Sequence, residues 1–442
     1  MHTSGMAALA LTLLWTPIAF AQDTTETPTD TPAADDGWGD EGATDDDIAA
    51  FETEQTSFGS ALDILGLSVS WSGYGDLNFR YVGGQPAVGT VGDADYLDPV
   101  ASKATWDAYH FNPIMGARLS DKAWTELELE IEHGGELIKI EYALLDYTIN
   151  DYATVRLGKQ LVPIGLYNDV IHPSFRWTQA NRPLMMANVI PGVWADVGGQ
   201  VFGKVPIGGS ELAYAGYVLN GLGAGTFEGE TYAFHDAFAG SESIRTTRDN
   251  TRDKNLDKGV GGRLAFTAAK GAPVGETLIS VSGYTGDLDK DTISNGAVLR
   301  SNVRFSVAAV ALQTKLGPFR LIAEGAQNFL GDEFNTTGLG VRSSSWTYEN
   351  GFYVYPHLKF GKSVTGARYD RVSTGPRTNL DDLANPKPGG VLSDVAISTK
   401  YDVSTFWNLR GELLLPFKTV TDGQAAARAN PPELQIVSAF YW

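Results

Sequence analysis

The segment that decides the fold is residues 432–442, which read PELQIVSAFYW. On one face of an extended strand lie Leu434, Ile436, Phe440 and Trp442, and on the other lie Glu433, Gln435 and Tyr441. A strand between lipid and a polar lumen alternates in this way. Because a bilayer offers no partner for an open sheet edge, such strands close into a barrel. The segment therefore predicts the closing strand of an all-β, antiparallel transmembrane barrel.

The N-terminal residues have the pattern of a secretory signal peptide. Residues 6–20 are an apolar run, and Ala19, Phe20 and Ala21 have the small-x-small form of a cleavage site. We therefore expect a signal peptide over residues 1–21. No later stretch reaches the roughly 20 uninterrupted apolar residues that a membrane helix needs. An exported chain of this kind is a soluble protein or a β-barrel.

The composition favours the barrel. The 442 residues include 50 glycines and no cysteine, and 11% are aromatic. Glycines and aromatic girdles suit closely spaced, tilted strands, and the lack of cysteine excludes a disulfide framework. The mean hydropathy of -0.14 resembles that of a soluble protein. A barrel also gives such a value, because each strand turns only half of its residues to lipid.

Residues 22–65 form a separate acidic segment. Residues 23–54 carry 12 acidic side chains and no Lys or Arg, which is more than half of the net charge of -20. With Thr, Pro, Ala, Asp and Gly dominating residues 22–44, we expect a largely disordered periplasmic spacer rather than an acidic binding tail. Residues 45–65 are compatible with a short amphipathic helix, and the barrel is expected over 66–442.

Segments with a period of two recur along the rest of the chain, and each is bounded by turn residues. The clearest is 68–82, where Trp71, Leu77 and Phe79 alternate with polar residues. The predicted strands are 68–82, 109–120, 123–133, 137–149, 152–158, 194–204, 211–219, 260–268, 277–284, 303–314, 319–328, 346–360, 364–373, 394–402, 407–417 and 434–442. These are about 16 strands, an even number, as a single-chain bacterial barrel requires.

The lengths of the connections predict the orientation. Tight turns, as at 121–122, 150–151 and 317–318, alternate with mostly long segments, as at 83–108, 159–193 and 220–259. Short periplasmic turns and longer external loops are typical of outer-membrane barrels. A soluble sandwich also has alternating strands, but it does not need aromatic residues at strand ends, as at Trp71, Tyr81, Trp407 and Phe417.

One stretch resembles a known family. Residues 155–165 read VRLGKQLVPIG, and His172-Pro173, Asn181-Arg182-Pro183-Leu184 and Pro191-Gly192-Val193-Trp194 follow. Over about 126–203 the chain resembles the phosphate-selective porin O/P family and related outer-membrane porins. The resemblance implies a 16-stranded, usually homotrimeric diffusion channel in the bacterial outer membrane, with a third external loop that folds inward. Separately, the terminal aromatic Trp442 resembles the signal that the barrel insertion machinery recognises, so we expect that machinery as a partner.

The segment between Lys159 and Trp194 is too long for a tight turn and too apolar to extend into water. We therefore expect it to pack against the inner wall of the barrel. Its charged residues would then stand at the constriction, where fixed charge acts most strongly on a passing ion. These residues are Lys159, Asp169, Arg176 and Arg182. An equally favoured alternative is that Arg176 and Arg182 pair with wall carboxylates and only hold the loop.

The polar faces of the strands supply the candidates for the pore lining. They are Arg80, Arg118, Glu126, Glu128, Glu130, Arg156, Arg263, Arg304, Arg368 and Arg410. By family analogy the arginines form a ladder for anions such as phosphate. The alternating glutamates leave the sign of selectivity open, and for each of these residues a solvated wall charge is favoured over a solute ligand.

Other chemistry finds little support in the sequence. The six histidines show no close metal spacing, there is no cysteine, and no nucleophile motif is present. We expect no metal, no cofactor, no nucleic acid and no enzymatic activity. The favoured function is a passive channel for small hydrophilic or ionic solutes. The alternatives are a structural or adhesive outer-membrane barrel without an open pore and, less favoured, an outer-membrane barrel enzyme.

Overall fold

The computed structural model describes most of the chain from Leu62 onward. The described residues are 62–64, 67–84, 101–172, 176–222, 226–227, 230–231, 258–272, 274–289, 292–294, 297–336, 341–374, 377–379, 382–387, 390–420 and 431–442. The predicted signal peptide and residues 22–61 of the acidic segment lie outside them. The end of the predicted helix at 45–65 is a short strand instead, Leu62–Ile64. It pairs with the next strand from Leu62↔Val69 to Ile64↔Leu67, so backbone pairing determines its conformation.

Sixteen long strands dominate the described residues. They are β1 (Leu67–Val82), β2 (Lys103–Ser120), β3 (Ala123–Glu132), β4 (Leu137–Asn150), β5 (Ala153–Leu161), β6 (Ala195–Ile207), β7 (Ser210–Leu219), β8 (Gly259–Ala268), β9 (Val274–Asp289), β10 (Ala297–Leu316), β11 (Phe319–Thr336), β12 (Val341–Phe360), β13 (Ser363–Thr374), β14 (Gly390–Ser404), β15 (Trp407–Val420) and β16 (Glu433–Tyr441). Each pairs with its neighbour in sequence, in antiparallel orientation.

The barrel closes where β16 pairs with β1, in a register that runs from Tyr74↔Tyr441 to Val82↔Glu433. The sixteen-stranded antiparallel barrel predicted from the sequence is confirmed. Several strands extend beyond the predicted bounds, as in β10, which begins at Ala297 rather than at residue 303. Backbone pairing does not require the apolar alternation on which the prediction rested, so a hairpin can continue past the apolar belt.

The two ends of the barrel differ in their connections. Tight turns at one end span 121–122, 151–152, 208–209, 269–273, 317–318, 361–362 and 405–406. Gly317 and Gly361 have positive φ angles of 63° and 55°, which the reversal requires and glycine adopts readily. The connections at the other end are mostly long. The exceptions are 133–136, which contains the 3₁₀ turn His133–Gly135, and 337–340 between β11 and β12, where the sequence predicted a long loop.

Short strands occur near this loop end. Thr226–Phe227 pairs with Glu230–Thr231, Thr292–Ser294 pairs with β10, and Arg377–Asn379 pairs with Asp382–Lys387. The third connection at this end, residues 162–194, is termed the third loop below. It contains a π-helical turn, Tyr167–Ile171, and a short α-helix, Met185–Asn188.

The outer face of the strands is apolar and the inner face carries most of the charge. Large apolar side chains exposed on the outside include Trp106, Ile138, Val310 and Phe360. Buried polar side chains that alternate with such residues include Asp76, Asn112, Glu128 and Arg368. This alternation matches a wall with lipid on one side and a polar interior on the other. No helix among the described residues is long and apolar enough to span a membrane.

The C-terminal aromatic residue is fixed to the first strand. The backbone N–H of Trp442 donates to the carbonyl of Gly73, and the N–H of Gly73 donates to the carbonyl of Trp442, each at 3.1 Å. The indole stacks on Phe111 at 5.1 Å and on Phe440 at 6.0 Å between ring centroids. Trp442 thus completes the β16–β1 seam.

Deleting Trp442 should reduce the amount of barrel in the outer membrane more than it reduces the stability of the folded barrel. Two backbone hydrogen bonds and one stacked ring correspond to only about 1–3 kcal/mol. The terminal aromatic also resembles the signal that the insertion machinery recognises. Quantitative immunoblots of outer-membrane fractions test assembly, and denaturant unfolding of protein refolded in detergent tests stability. Normal membrane levels of the deletion variant would contradict the prediction.

Candidate functional site: the inner wall and the third loop

The inner wall of β1 to β4 is acidic. Glu126, Glu128, Glu130 and Glu132 alternate along β3, as the period of the strand predicts, and the last three are at most 8% exposed. Glu128 accepts hydrogen bonds of 2.8 Å from the Tyr74 hydroxyl and from the Asn112 amide. Each of these carboxylates therefore contributes to a buried polar network rather than to a free surface.

The other carboxylates of this wall have different partners. Glu126 accepts a 2.7 Å hydrogen bond from the Tyr142 hydroxyl, and Glu130 forms a 2.8 Å ion pair with Lys139 on β4. Glu141 of β4 lies 3.1 Å from the imidazole of His172 in the third loop. Lys139, on the neighbouring strand, is the lysine paired with this row of glutamates.

The arginines predicted to line the pore carry partners. Arg156 forms two parallel 2.8 Å hydrogen bonds to Asp146, which is the bidentate geometry that makes such pairs strong. Further partners are Glu433 for Arg80, Asp169 for Arg263, Asp370 for Arg368 and Asn408 for Arg410. These five arginines are therefore paired and do not form a ladder of uncompensated positive charge.

One of the predicted lining residues, Arg304, lies on the opposite face from the one expected. Arg304 pairs with Asp287 at 2.8 Å, and its side chain is 58% exposed. In β10 the buried residues Phe305 and Val307 point inward, so Arg304 lies on the opposite face, and the prediction that it lines the pore is wrong. The physical reason is that the inner face of β10 is apolar, since Phe305 and Val307 pack in the cluster with the third loop, so the polar face of this strand points outward. Arg118 lies on the same face of β2 as the buried Asn112 and is exposed near the turn end of the strand.

The third loop packs an apolar surface against the wall of β7 to β12. In its interior Ile164, Met185, Met186 and Trp194 are completely buried. They join one apolar cluster with wall residues that include Leu278, Tyr284, Phe305, Val307, Ala309, Ile322 and Tyr353. Trp194 meets Tyr284 edge to face, with 4.6 Å between ring centroids. This cluster contains most of the buried apolar side chains of the described residues.

Gly165 shows how closely the loop backbone approaches the wall. A Cβ atom on this residue would lie 1.7 Å from Oε1 of Glu324, and its φ angle of +69° is one that other residues rarely adopt. Its N–H donates to the Ser282 hydroxyl at 2.8 Å, and the N–H of Tyr167 donates to Glu324 at 3.2 Å. Only glycine fits here, which gives the glycine of the VPIG sequence a physical reason.

The second half of the loop is held by polar side chains of β13 to β16. Arg368 is fully buried and donates to the carbonyl of Asn181 at 2.7 Å and to that of Arg182 at 3.3 Å, and it also contacts Gln179. Glu412 accepts from the N–H groups of Ala180 and Asn181 at 3.0 and 3.2 Å. The loop thus contacts inward side chains on both sides of the β16–β1 seam.

The four residues predicted for the constriction are not gathered at one point. Lys159 is buried on β5 and donates to the carbonyl of Ile140. Arg176 and Arg182 donate to the loop carbonyls of Val170 and Gly192 at 3.2 and 3.1 Å. These contacts favour the alternative in which the two arginines hold the loop in shape, and the charge of Arg182 also acts on the wall carboxylate of Glu132.

Asp169 connects the loop to the wall. Its carboxylate accepts a 2.7 Å hydrogen bond from Arg263 of β8, which also donates to the Gly165 carbonyl at 3.2 Å. Burial raises the pKa of the Asp169 carboxyl above its usual range, and the charge of Arg263 opposes that shift without cancelling it. The ion pair contributes stability only while the carboxyl is ionised.

Several residues of the site carried no signal in the sequence. Asn328 and Gln435 bind the third loop, but a polar residue on an inward face is common in every barrel strand. Gln435 donates to the Asn181 side chain at 2.8 Å, and Asn328 donates to the Val189 carbonyl at 3.1 Å. Only the three-dimensional path of the loop distinguishes them.

Comparisons with known proteins show the fold. No family model matches the chain. An uncharacterised protein of Aquifex aeolicus is 30% identical over 162 residues, which are 35% of this chain and 34% of that protein. The chain thus matches about a third of the length of this relative. The finer resemblance to the phosphate-selective porin O/P family remains a prediction.

Two solved structures superimpose on the barrel. An anion-selective porin from Comamonas acidovorans aligns with a TM-score of 0.53 at 13% identity, over 85% of this chain and 100% of that one. The outer membrane channel DcaP of Acinetobacter baumannii aligns with a TM-score of 0.52 at 12% identity, over 85% and 97%. At these identities the likeness establishes a shared barrel architecture.

Replacing Arg368 with Leu should loosen the third loop and destabilise the barrel. The change leaves Asp370 buried without its cation and removes the donors to the loop carbonyls, a loss of about 3–5 kcal/mol. Trypsin should then cleave after Arg176, and the denaturant midpoint should fall. Arg371→Leu is the control, because Arg371 is exposed on the opposite face of the same strand. If both variants resist trypsin equally, Arg368 does not hold the loop.

Proposed function

We propose that this protein is an outer-membrane porin, a passive diffusion channel for small hydrophilic or ionic solutes. The observation that carries the proposal is the closed sixteen-stranded barrel whose outer face is apolar and whose inner face is polar. A barrel of this size is wide enough to enclose an aqueous path. The tight turns then face the periplasm and the long connections face the outside.

The third loop is the proposed constriction. Its contacts include Glu141 of β4, Arg263 of β8 and Gln435 of β16, so it reaches the acidic wall of the interior as well as the apolar wall. Field lines concentrate where a low-dielectric wall narrows a pore, so charges at this level act most strongly on solutes.

Anion or phosphate preference, which the family resemblance implies, finds no support in the arginines. A phosphate site needs donors that are free to bind it. Arg80, Arg156, Arg263, Arg368 and Arg410 already bind protein partners. The homotrimer and the recognition of Trp442 by the insertion machinery also rest on the resemblance, and we carry them as parts of the proposal.

A second candidate is a structural or adhesive barrel without an open path. The near-complete burial of the third loop favours it, since Val162, Ile164, Met185 and Val189 have no exposed surface at all. A loop packed so tightly on one wall reduces the cross-section available to solutes. Conductance distinguishes the two candidates directly.

Purified protein in planar lipid bilayers should show stepwise, ohmic conductance increases. An aqueous path through the barrel conducts ions in proportion to voltage, whereas a filled barrel does not conduct. Protein kept unfolded in urea serves as the negative control. Absence of conductance steps from protein whose barrel signature is verified by circular dichroism would support the structural candidate instead.

Replacing both Arg176 and Arg182 with Glu should raise conductance and make it noisy, with little change in reversal potential. Both side chains donate to loop carbonyls, so their loss loosens the loop before it alters the field. The control is Arg248→Glu with Arg252→Glu, which makes the same charge change on the long fourth connection, outside the described residues. A large loss of anion preference at unchanged conductance would instead place both arginines at the constriction.

A further inference from the structure

Three ligand-type side chains meet near the loop end of the acidic wall. They are His110 of β2 and Glu130 and Glu132 of β3, and one ligand atom of each lies within 4.8 Å of the others. His110 Nε2 is 3.8 Å from Glu132 Oε1. Zinc bonds of about 2.0–2.2 Å place neighbouring tetrahedral donors roughly 3.3–3.5 Å apart. Small side-chain rotations therefore suffice to bring the three atoms to one ion.

The imidazole ring of His110 is oriented by a carboxylate, as in many metal-binding histidines. Its Nδ1 lies 3.0 Å from Oδ2 of Asp76, and a carboxylate there requires the ring proton on Nδ1. In the neutral ring the lone pair is then on Nε2, on the side of Glu132. A carboxylate behind a ligating imidazole is the usual outer partner in such sites, because it fixes the ring and raises its basicity.

The buried carboxylate of Asp76 adds negative charge behind His110, where the charge of Arg410 also acts on it. Asp76 is 3% exposed, and its second oxygen, Oδ1, has no hydrogen-bond partner. An unsatisfied buried charged oxygen costs free energy, which a nearby cation offsets. The Tyr74 hydroxyl and the Asn112 amide donate to Glu128 instead.

The charge around the three ligands is strongly negative. Asp76, Glu128, Glu130, Glu132 and Glu141 are all buried within this wall. The cationic groups facing them are Lys139, paired with Glu130, Arg182 of the third loop, whose charge acts on Glu132, and Arg410, whose charge acts on Asp76, and the imidazole of His172 lies at Glu141. The carboxylates still outnumber the permanent cations, which leaves room for an added ion, although Lys139 must share Glu130 with it.

We propose that His110, Glu130 and Glu132 form a binding site for a divalent transition-metal ion, with Asp76 orienting His110. One imidazole and two carboxylates suit zinc, and the imidazole disfavours magnesium and calcium, which prefer oxygen ligands. The side chains of His110, Glu130 and Glu132 retain 10–16% of their exposure, so an ion can reach them from the interior. The spacing of the histidines in the sequence does not reveal this site, because the three ligands come from two strands.

Titration calorimetry of the full chain, refolded in detergent, with zinc chloride tests the proposal. We expect one zinc ion per chain, with binding lost in His110→Gln and in the Glu130→Gln, Glu132→Gln double variant. Asp76→Asn should weaken binding by about 10–100-fold, the usual effect of removing an outer partner. Magnesium at the same concentration should give no heat.

His133→Gln is the matched control. His133 also bonds to a carboxylate, Asp107, at 2.7 Å, and it follows Glu132 directly, but it lies outside the three-ligand group. Its binding curve should equal that of the original chain. Circular dichroism and the heat-dependent gel shift of each variant verify that the barrel is folded.

The results of these titrations can overturn the proposed zinc site. Unchanged zinc binding in folded His110→Gln, or equal loss in His133→Gln, overturns the site. Calorimetry measures zinc binding to a folded barrel whether or not the barrel conducts ions. The zinc-site proposal can therefore be wrong while the channel proposal is right, and the channel proposal can be wrong while the zinc-site proposal is right. If the gel shift shows that the double variant is unfolded, the comparison of His110→Gln with His133→Gln alone decides.

Discussion

The structure depends on the pairing of β16 with β1. In lipid an unpaired strand edge has no hydrogen-bond partner, so a sheet of this kind is stable only when it closes. Closure gives the chain one outer face for apolar residues and one inner face for the rest. The many charged side chains of the strands must therefore share a narrow interior. This crowding explains why the arginines of the wall carry carboxylate or amide partners and why the glutamates of β3 are tied into networks.

The third loop takes the role that a hydrophobic core has in a soluble protein. Its apolar side chains pack on Leu278, Phe305 and Ile322, which face the inside of the barrel where a water-filled lumen would favour polar residues. The opposite side of the interior, along β1 to β4, remains polar and acidic. The interior is thus divided into a packed half and a charged half. This division follows from the placement of apolar residues on the inner faces of β8 to β12.

The period of two in the strands predicted the barrel well, because the alternation of side chains separates the lipid face of each strand from its inner face. Glu126, Glu128 and Glu130 lie on the inner side as the period indicated. Arg304 does not, because the inner face of β10 is apolar where Phe305 and Val307 pack in the cluster with the third loop. The wall residues that bind the third loop could not be predicted from the sequence, because Arg368, Glu412 and Gln435 lie on strands far away in sequence. A loop that folds back on many strands leaves no periodic signal.

Closure also constrains how the chain acquires its structure. Asn78 of β1 donates to Gln435 of β16 across a separation of 357 residues. Contacts between parts of a chain so far apart form late, since ordering the intervening residues costs entropy before the contact returns any energy. One edge of β1 therefore stays unpaired until the other fifteen strands have been synthesised. During that interval it is a template for wrong pairing, so a chain built in this way depends on being kept unfolded until β16 is available.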